Sequence, residues 1–198
     1  DSTFTRDSLS LRTASGVTLQ AEAGRLLVPE NRARSTSRRI PVGYLRLRST
    51  AAHPNAPLFF LAGGPGQRAV SRDPGGLEFW LPLLAVGDVV LIDQRGTADP
   101  SLRFAWDGAL PMSYFVSVDS AGAHEREMVR RAAAAFRTRG VDMAGYNTIE
   151  NARDIEALRV ALGLPRVSLL AFSYGTHLAF AYLREFAAHV DNAVLIGN

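Results

Sequence analysis

Ser173 stands where an apolar strand pattern gives way at once to a helical one, in LLAFSYGTHLAF from Leu169 to Phe180. A buried strand has no use for a hydroxyl at its end, and a helix gains little from opening on Tyr174-Gly175. Both oddities are explained if Ala171-Phe172-Ser173-Tyr174-Gly175 is a variant of the G-x-S-x-G nucleophile elbow. On such a turn the serine is held in a strained backbone conformation that lifts its hydroxyl above the sheet. The residues two before and two after it must be small, because strand and helix pass close together there. Ala171 and Gly175 meet that demand. The chemistry implied is attack by a serine oxygen on a carbonyl carbon, through an acyl-enzyme.

Attack of that kind creates an oxyanion, which needs backbone N–H donors already aimed at it. Gly63-Gly64-Pro65-Gly66 ends the apolar run PLFFLAGGPG (57–66), and a glycine-rich loop lets main chain approach a substrate closely. The N–H groups of Gly64 and Tyr174 are the expected pair. A tight turn could use the same glycines for purely structural reasons, but pairing with the elbow favours the catalytic reading. Asp93-Gln94-Arg95-Gly96 closes a further apolar run. The Asp and Arg of this motif read as braces for loops rather than as reactants.

These motifs need a scaffold that brings strand ends together. Residues 17–29 and 39–48 have the β-branched, alternating character of an antiparallel pair. The runs 57–66 and 88–96 read as buried strands, 167–172 as a further strand and 192–197 as the last, with helices expected over 123–139, 147–162 and 174–187. Gly140 stops the first helix. Asn147 and Glu150 suggest a capping box for the second, which Gly163 and Pro165 close. Ile149, Ala152, Ile155, Leu158 and Leu162 give that helix an apolar stripe. All-apolar strands alternating with helices indicate a parallel sheet covered on both faces, with function at the carboxyl ends of its strands.

Composition excludes several alternatives. The chain has 198 residues, 47% hydrophobic and 21% charged, and no cysteine, so neither disulfides nor a thiolate metal site are available. His53, His124, His177 and His189 stand too far apart for metal-ligand spacing. All 22 basic residues are arginine, and the net charge is +3. Most of these arginines alternate with acids, which argues against a nucleic-acid surface. Arg32, Arg34, Arg38 and Arg39 cluster in what reads as a solvated loop. The uncharged, largely apolar run Val167–Leu183 falls short of a membrane span and contains polar residues. The opening Asp1 leaves both a cytoplasmic and an exported, signal-processed protein open.

AGGPG, LIDQRGT and AFSYGT, in this order, resemble the α/β-hydrolase family of proline iminopeptidases and tripeptidyl aminopeptidases. YNTIENARDIEALRVALGLPRVSLLAFSYGTHLA is similar to that family's helix–strand–elbow region throughout. Two residues depart from the pattern: Ala62 where the family has histidine, and Ala171 where it has glycine. The resemblance implies an α/β-hydrolase fold, mostly parallel and doubly wound, with an antiparallel pair at its N-terminal end. It also implies Ser173 as nucleophile, Gly64 and Tyr174 as oxyanion hole, and no metal or organic cofactor.

In this fold the triad runs Ser, then Asp or Glu, then His. Of the histidines that follow Ser173, His177 is expected to point away from the hydroxyl and His189 to sit at the far end of its helix. Residues 1–198 are therefore expected to be the N-terminal part of one hydrolase domain. The acid, the histidine and the cap would lie beyond them, on the same or a separate chain. An aminopeptidase acting on peptides is the favoured activity. The alternatives are a carboxylesterase on small esters and a non-catalytic, partner-dependent fragment. An aminopeptidase must hold a substrate ammonium with carboxylates. Those are expected mainly in the cap, with Glu78 the candidate from this chain.

Overall fold

Apolar alternation builds the sheet. Its strands are β1 (Phe4–Arg12), β2 (Thr18–Pro29), β3 (Arg39–Leu47), β4 (Asn55–Leu61), β5 (Gly87–Ile92), β6 (Val167–Phe172) and β7 (Val190–Ile196). They come from a computed structural model that describes residues 3–98, 102 and 110–197. Their order in the sheet is β1-β2-β3-β5-β4-β6-β7. β1, β2 and β3 form an antiparallel meander, and β3 also runs antiparallel to β5. The pairs β4–β5, β4–β6 and β6–β7 are parallel. The expected antiparallel pair is thus β2–β3, extended by β1, which the residue pattern does not announce. β1 is polar at most positions and lies at the sheet edge, where alternation is weakest.

The helices are α1 (Pro74–Glu78), α2 (Leu81–Leu84), α3 (Val118–Thr138), α4 (Thr148–Ala161) and α5 (Tyr174–Phe186). α4 and α5 cover one face over a core that includes Tyr44, Phe59, Val90, Ile155, Leu158 and Tyr182. On the other face Leu77, Trp80 and Leu84, from α1 and α2 and the turn between them, pack with Leu45, Val89 and Leu91. Successive residues of β5 feed opposite cores, which is why that strand reads as unbroken apolar sequence.

Helix boundaries follow local capping. Asn147 Oδ1 accepts from Glu150 N at 3.0 Å, as the capping pattern requires. The reciprocal half of the box is not made, because the Glu150 carboxylate turns to Arg32 and Arg153 instead. α3 starts five residues earlier than expected, since Ser117 caps it through Ser120 N at 3.1 Å. α1 adds to the expected helices. Its two glycines hide a start made by Asp73, whose carboxylate accepts from Gly76 N.

The arginine-rich loop between β2 and β3 requires a correction. Arg32 is turned inward rather than solvated, with Glu150 and Asp154 each at 2.7 Å. Arg38 lies 2.6 Å from Glu30, and Arg34 lies 2.9 Å from Asp142. The partners of Arg32 and Arg34 come from distant segments, so local sequence could not announce the pairing. No helix among the described residues is long and apolar enough to cross a membrane.

Candidate active site

The end of β6 meets the start of α5 with a single residue between them. That residue, Ser173, has φ 50° and ψ −126°, and it is the one non-glycine residue at positive φ among those described. Such a conformation costs of order 1–3 kcal/mol and persists only where the surroundings enforce it. Here they do. Ser173 N donates to Ile196 O at 2.9 Å, tying the turn to the end of β7. Ser173 O accepts from both Thr176 N and Thr176 Oγ1 at 2.8 Å. Thr176 is fully buried, so this anchor is fixed in the core.

The small residues flanking the serine are needed for packing. A Cβ placed on Gly175 would stand 2.1 Å from Leu61 O, so α5 starts against the end of β4 at a distance only glycine permits. Ala171 is fully buried within β6. Ser173 itself is exposed, and its Oγ hydrogen-bonds to nothing among the described residues.

The loop after β4 lies alongside. A Cβ on Gly63 would come within 3.1 Å of Ser173 Cβ and 3.4 Å of Phe172 O, so the bare glycine lets this loop rest on the serine turn. Gly64 follows with φ 110°. Neither Gly64 N–H nor Tyr174 N–H is used by an acceptor among the described residues. The structure therefore brings three of the four residues singled out, Ser173, Gly64 and Tyr174, to one end of the parallel strands. Tyr174 also opens α5, where the helix dipole favours negative charge. Its hydroxyl lies 2.9 Å from Thr148 Oγ1 at the start of α4. An apolar groove of about 460 Å³ runs from Gly63 along Phe60, Phe79, Trp80 and Phe172.

Glu78 is not joined to this cluster. It ends α1, does not line the groove, and accepts from Ser15 N at 3.1 Å. That backbone hydrogen bond holds its carboxyl below the usual value.

The Asp93-Gln94-Arg95 segment braces loops, and more tightly than its composition suggests. Asp93 accepts from Ala69 N at 3.0 Å, from Val70 N at 2.9 Å, and from Arg68. Arg95 is clamped by Asp154, with its Nε 2.8 Å from Oδ2, and donates to the carbonyls of Glu30 and Gly145. Gln94, which carries no local motif that would single it out, bonds three times to the glycine loop. Its one visible signal is its place between two braces at a strand end.

None of the four histidines reaches the serine. His177 stacks on Tyr174, with ring centroids 6.4 Å apart. His189 Nδ1 lies 3.0 Å from Glu156 Oε1, in the turn at the opposite end of α5. His124 lies 2.9 Å from Ser113 Oγ, and His53 sits in the turn before β4. Among the described residues no cluster of three or more His, Cys, Asp or Glu could hold a metal ion.

A seven-stranded mixed sheet, helices on both faces and a strained serine at a strand-to-helix turn define a class. The profile of the family described as alpha/beta hydrolase fold matches residues 56–198, and the chain belongs to that family. Serine protease Hip1 of Mycobacterium tuberculosis is 30% identical over 146 residues, covering 68% of this chain and 28% of Hip1. Tripeptidyl aminopeptidase of Streptomyces lividans is 26% identical over 188 residues, covering 88% of this chain and 34% of that protein. The chain thus spans about a third or less of the length of these curated relatives. Among solved structures, a proline iminopeptidase-related protein from Thermus thermophilus aligns with a TM-score of 0.48 at 21% identity. That alignment covers 87% of this chain and 44% of the other.

Proposed function

We propose that this chain supplies the nucleophile and oxyanion-binding part of a serine hydrolase that acts as an aminopeptidase on peptides. The observation that carries the reading is Ser173, exposed and held at φ 50° beside the glycine loop, its Oγ bonded to no described residue. The names of the two curated relatives, a serine protease and a tripeptidyl aminopeptidase, support a peptide substrate.

In this reaction Ser173 Oγ forms a bond to the scissile carbonyl carbon and gives its proton to a general base. The carbonyl oxygen becomes an anion, and the N–H groups of Gly64 and Tyr174 receive it. Collapse breaks the C–N bond, and the leaving amine takes up the proton. Water then attacks the ester and frees Ser173. No histidine of residues 1–198 is placed to act as that base, so the base and its acid partner are assigned to a C-terminal segment or a separate chain. The carboxylates that hold the substrate ammonium are assigned there too, because Glu78 is already tied to Ser15.

The test uses the full-length protein with peptidyl arylamides carrying a free or an acylated N-terminus. Ser173→Ala is expected to lower turnover by roughly 10⁶-fold while the melting temperature stays within a degree or two. Cleavage of free but not acylated substrates supports an aminopeptidase. Equal cleavage of both, or cleavage of simple esters alone, replaces it with an esterase. Retention of more than a few per cent activity by Ser173→Ala removes the serine from the mechanism.

A further inference from the structure

We infer that Gln94 is a positioning residue for the oxyanion hole: its buried carboxamide holds the glycine loop so that Gly64 N–H faces the reacting carbonyl. The inference rests on the serine hydrolase reading above.

The carboxamide is buried at the end of β5 and makes three hydrogen bonds, all to one loop. Nε2 donates to Ala62 O and to Gly63 O, each at 2.9 Å. Oε1 accepts from Gly66 N at 2.8 Å. These contacts fall on both sides of Gly64 and leave its own N–H without an acceptor among the described residues. They also fix which way the amide faces, because the flipped amide would set its oxygen against two carbonyl oxygens. The neighbouring Asp93 continues the same task further along, holding Ala69 N and Val70 N. Two consecutive side chains thus shape the main chain from Ala62 to Val70.

Such holding has a physical purpose. Gly64 has φ 110° and its N–H bonds to no main-chain acceptor among the described residues, while the peptide it shares with Gly63 is held locally by a long contact, Gln67 N to Gly63 O at 3.4 Å. An oxyanion hole accelerates a reaction to the extent that its donors are already in place before charge develops. A glycine loop left to itself would sample many orientations, and Gln94 removes that freedom from the side away from the substrate. Glutamine is the side chain that fits. It offers two donors and an acceptor in one plane, whereas glutamate would bring a carboxylate against two carbonyl oxygens and leucine would remove the side-chain partner of all three backbone groups. Substituting Gly64 itself is a poorer probe, because any Cβ there is strained and would meet Gly66 N at 2.8 Å.

The experiment compares wild type, Gln94→Leu and Gln94→Glu in the full-length protein, using a fluorophosphonate whose phosphoryl oxygen occupies the oxyanion position. Mass spectrometry locates the label, stopped-flow or gel assays give its rate, and a thermal melt gives the folded fraction. The expected result is label on Ser173 in all three proteins. The labelling rate and kcat should fall by roughly 10²–10³-fold in the variants, as for loss of one oxyanion donor, with KM within a few-fold at temperatures where all are folded. Label on Ser173 at an unchanged rate overturns the role of Gln94 and leaves the hydrolase reading intact. A loss of rate that merely tracks the unfolded fraction in both variants also overturns it, because Gln94 would then serve stability alone. Label on another residue overturns the hydrolase reading and this inference with it.

Discussion

Ser173 carries a conformational cost that the fold does not need. A serine at φ 50° is strained, and alanine at the same place would be strained equally, whereas glycine would not. Ser173→Gly is therefore expected to be more stable than Ser173→Ala, by about 1 kcal/mol after allowing for the greater freedom of glycine in the unfolded chain. Chemical denaturation of the two variants measures the difference. Equal midpoints would mean that the turn imposes no strain on its serine. Two residues on, the constraint is steric. Gly175→Ala would drive a methyl to within 2.1 Å of Leu61 O, where backbone meets backbone and no side chain can give way. A loss of about 3 kcal/mol or more is expected, read as a fall in the melting temperature.

Single elements are held in place by buried charge as well as by apolar packing. The loop between β2 and β3 is joined to the segment before α4 through Glu30, which accepts from Arg38 Nη2 at 2.6 Å, Tyr146 Oη at 2.7 Å and Asp142 N at 3.1 Å. Burial raises the Glu30 carboxyl pKa, yet the hydrogen bonds from Arg38, Tyr146 and Asp142 N–H outweigh it and leave the group below its ordinary value of 4.5. A depressed carboxyl contributes stability that is fully present above that ordinary value and is lost as pH falls through the folded pKa. Glu30→Gln is accordingly expected to cost about 1–3 kcal/mol at neutral pH, with the gap to wild type closing as the pH falls below the ordinary carboxyl value. Denaturant midpoints at several pH values test this. A gap that stays constant with pH would show that shape, not charge, is what Glu30 supplies.

Taken together, the 198 residues form a sheet with very different edges. β1 is polar, whereas β7 pairs with β6 alone among the described strands and leaves Val194 52% and Ile196 43% exposed. An apolar parallel strand bare on its face and its edge is a surface for association. Residues 1–198 prepared alone are expected to self-associate as concentration rises, and Val194→Lys to suppress this, as measured by sedimentation velocity. A monomer at all concentrations would show that the exposed strand is inert. The arginines behave differently from their composition. Arg32, Arg46 and Arg95 pair with acids inside the molecule, and the exposed Arg38 pairs with the buried Glu30.

What could be read along the chain was whatever neighbouring residues enforce on each other. The serine turn was legible because strand, turn and helix are contiguous there, and the small residues at 171 and 175 answer to packing around that unit. The start of α4 at Asn147 was legible for the same reason, since a cap reaches only three residues ahead. Unbroken apolar runs announced the parallel strands, and hence the doubly wound sheet, but β7 is exposed at most positions because it pairs with β6 alone among the described strands. The polar edge strand β1 was not legible, because it is specified by pairing with β2 rather than by its own pattern. Nor was the inward turn of Arg32, whose partners lie more than a hundred residues away. The hold of Gln94 on the glycine loop belongs to the same group. Residues 62–66 and 94 are far apart in the chain and meet because β4 and β5 lie side by side in the sheet. A side-chain amide carries no local signal of which backbone it will grip, so that contact existed only once the strands were paired.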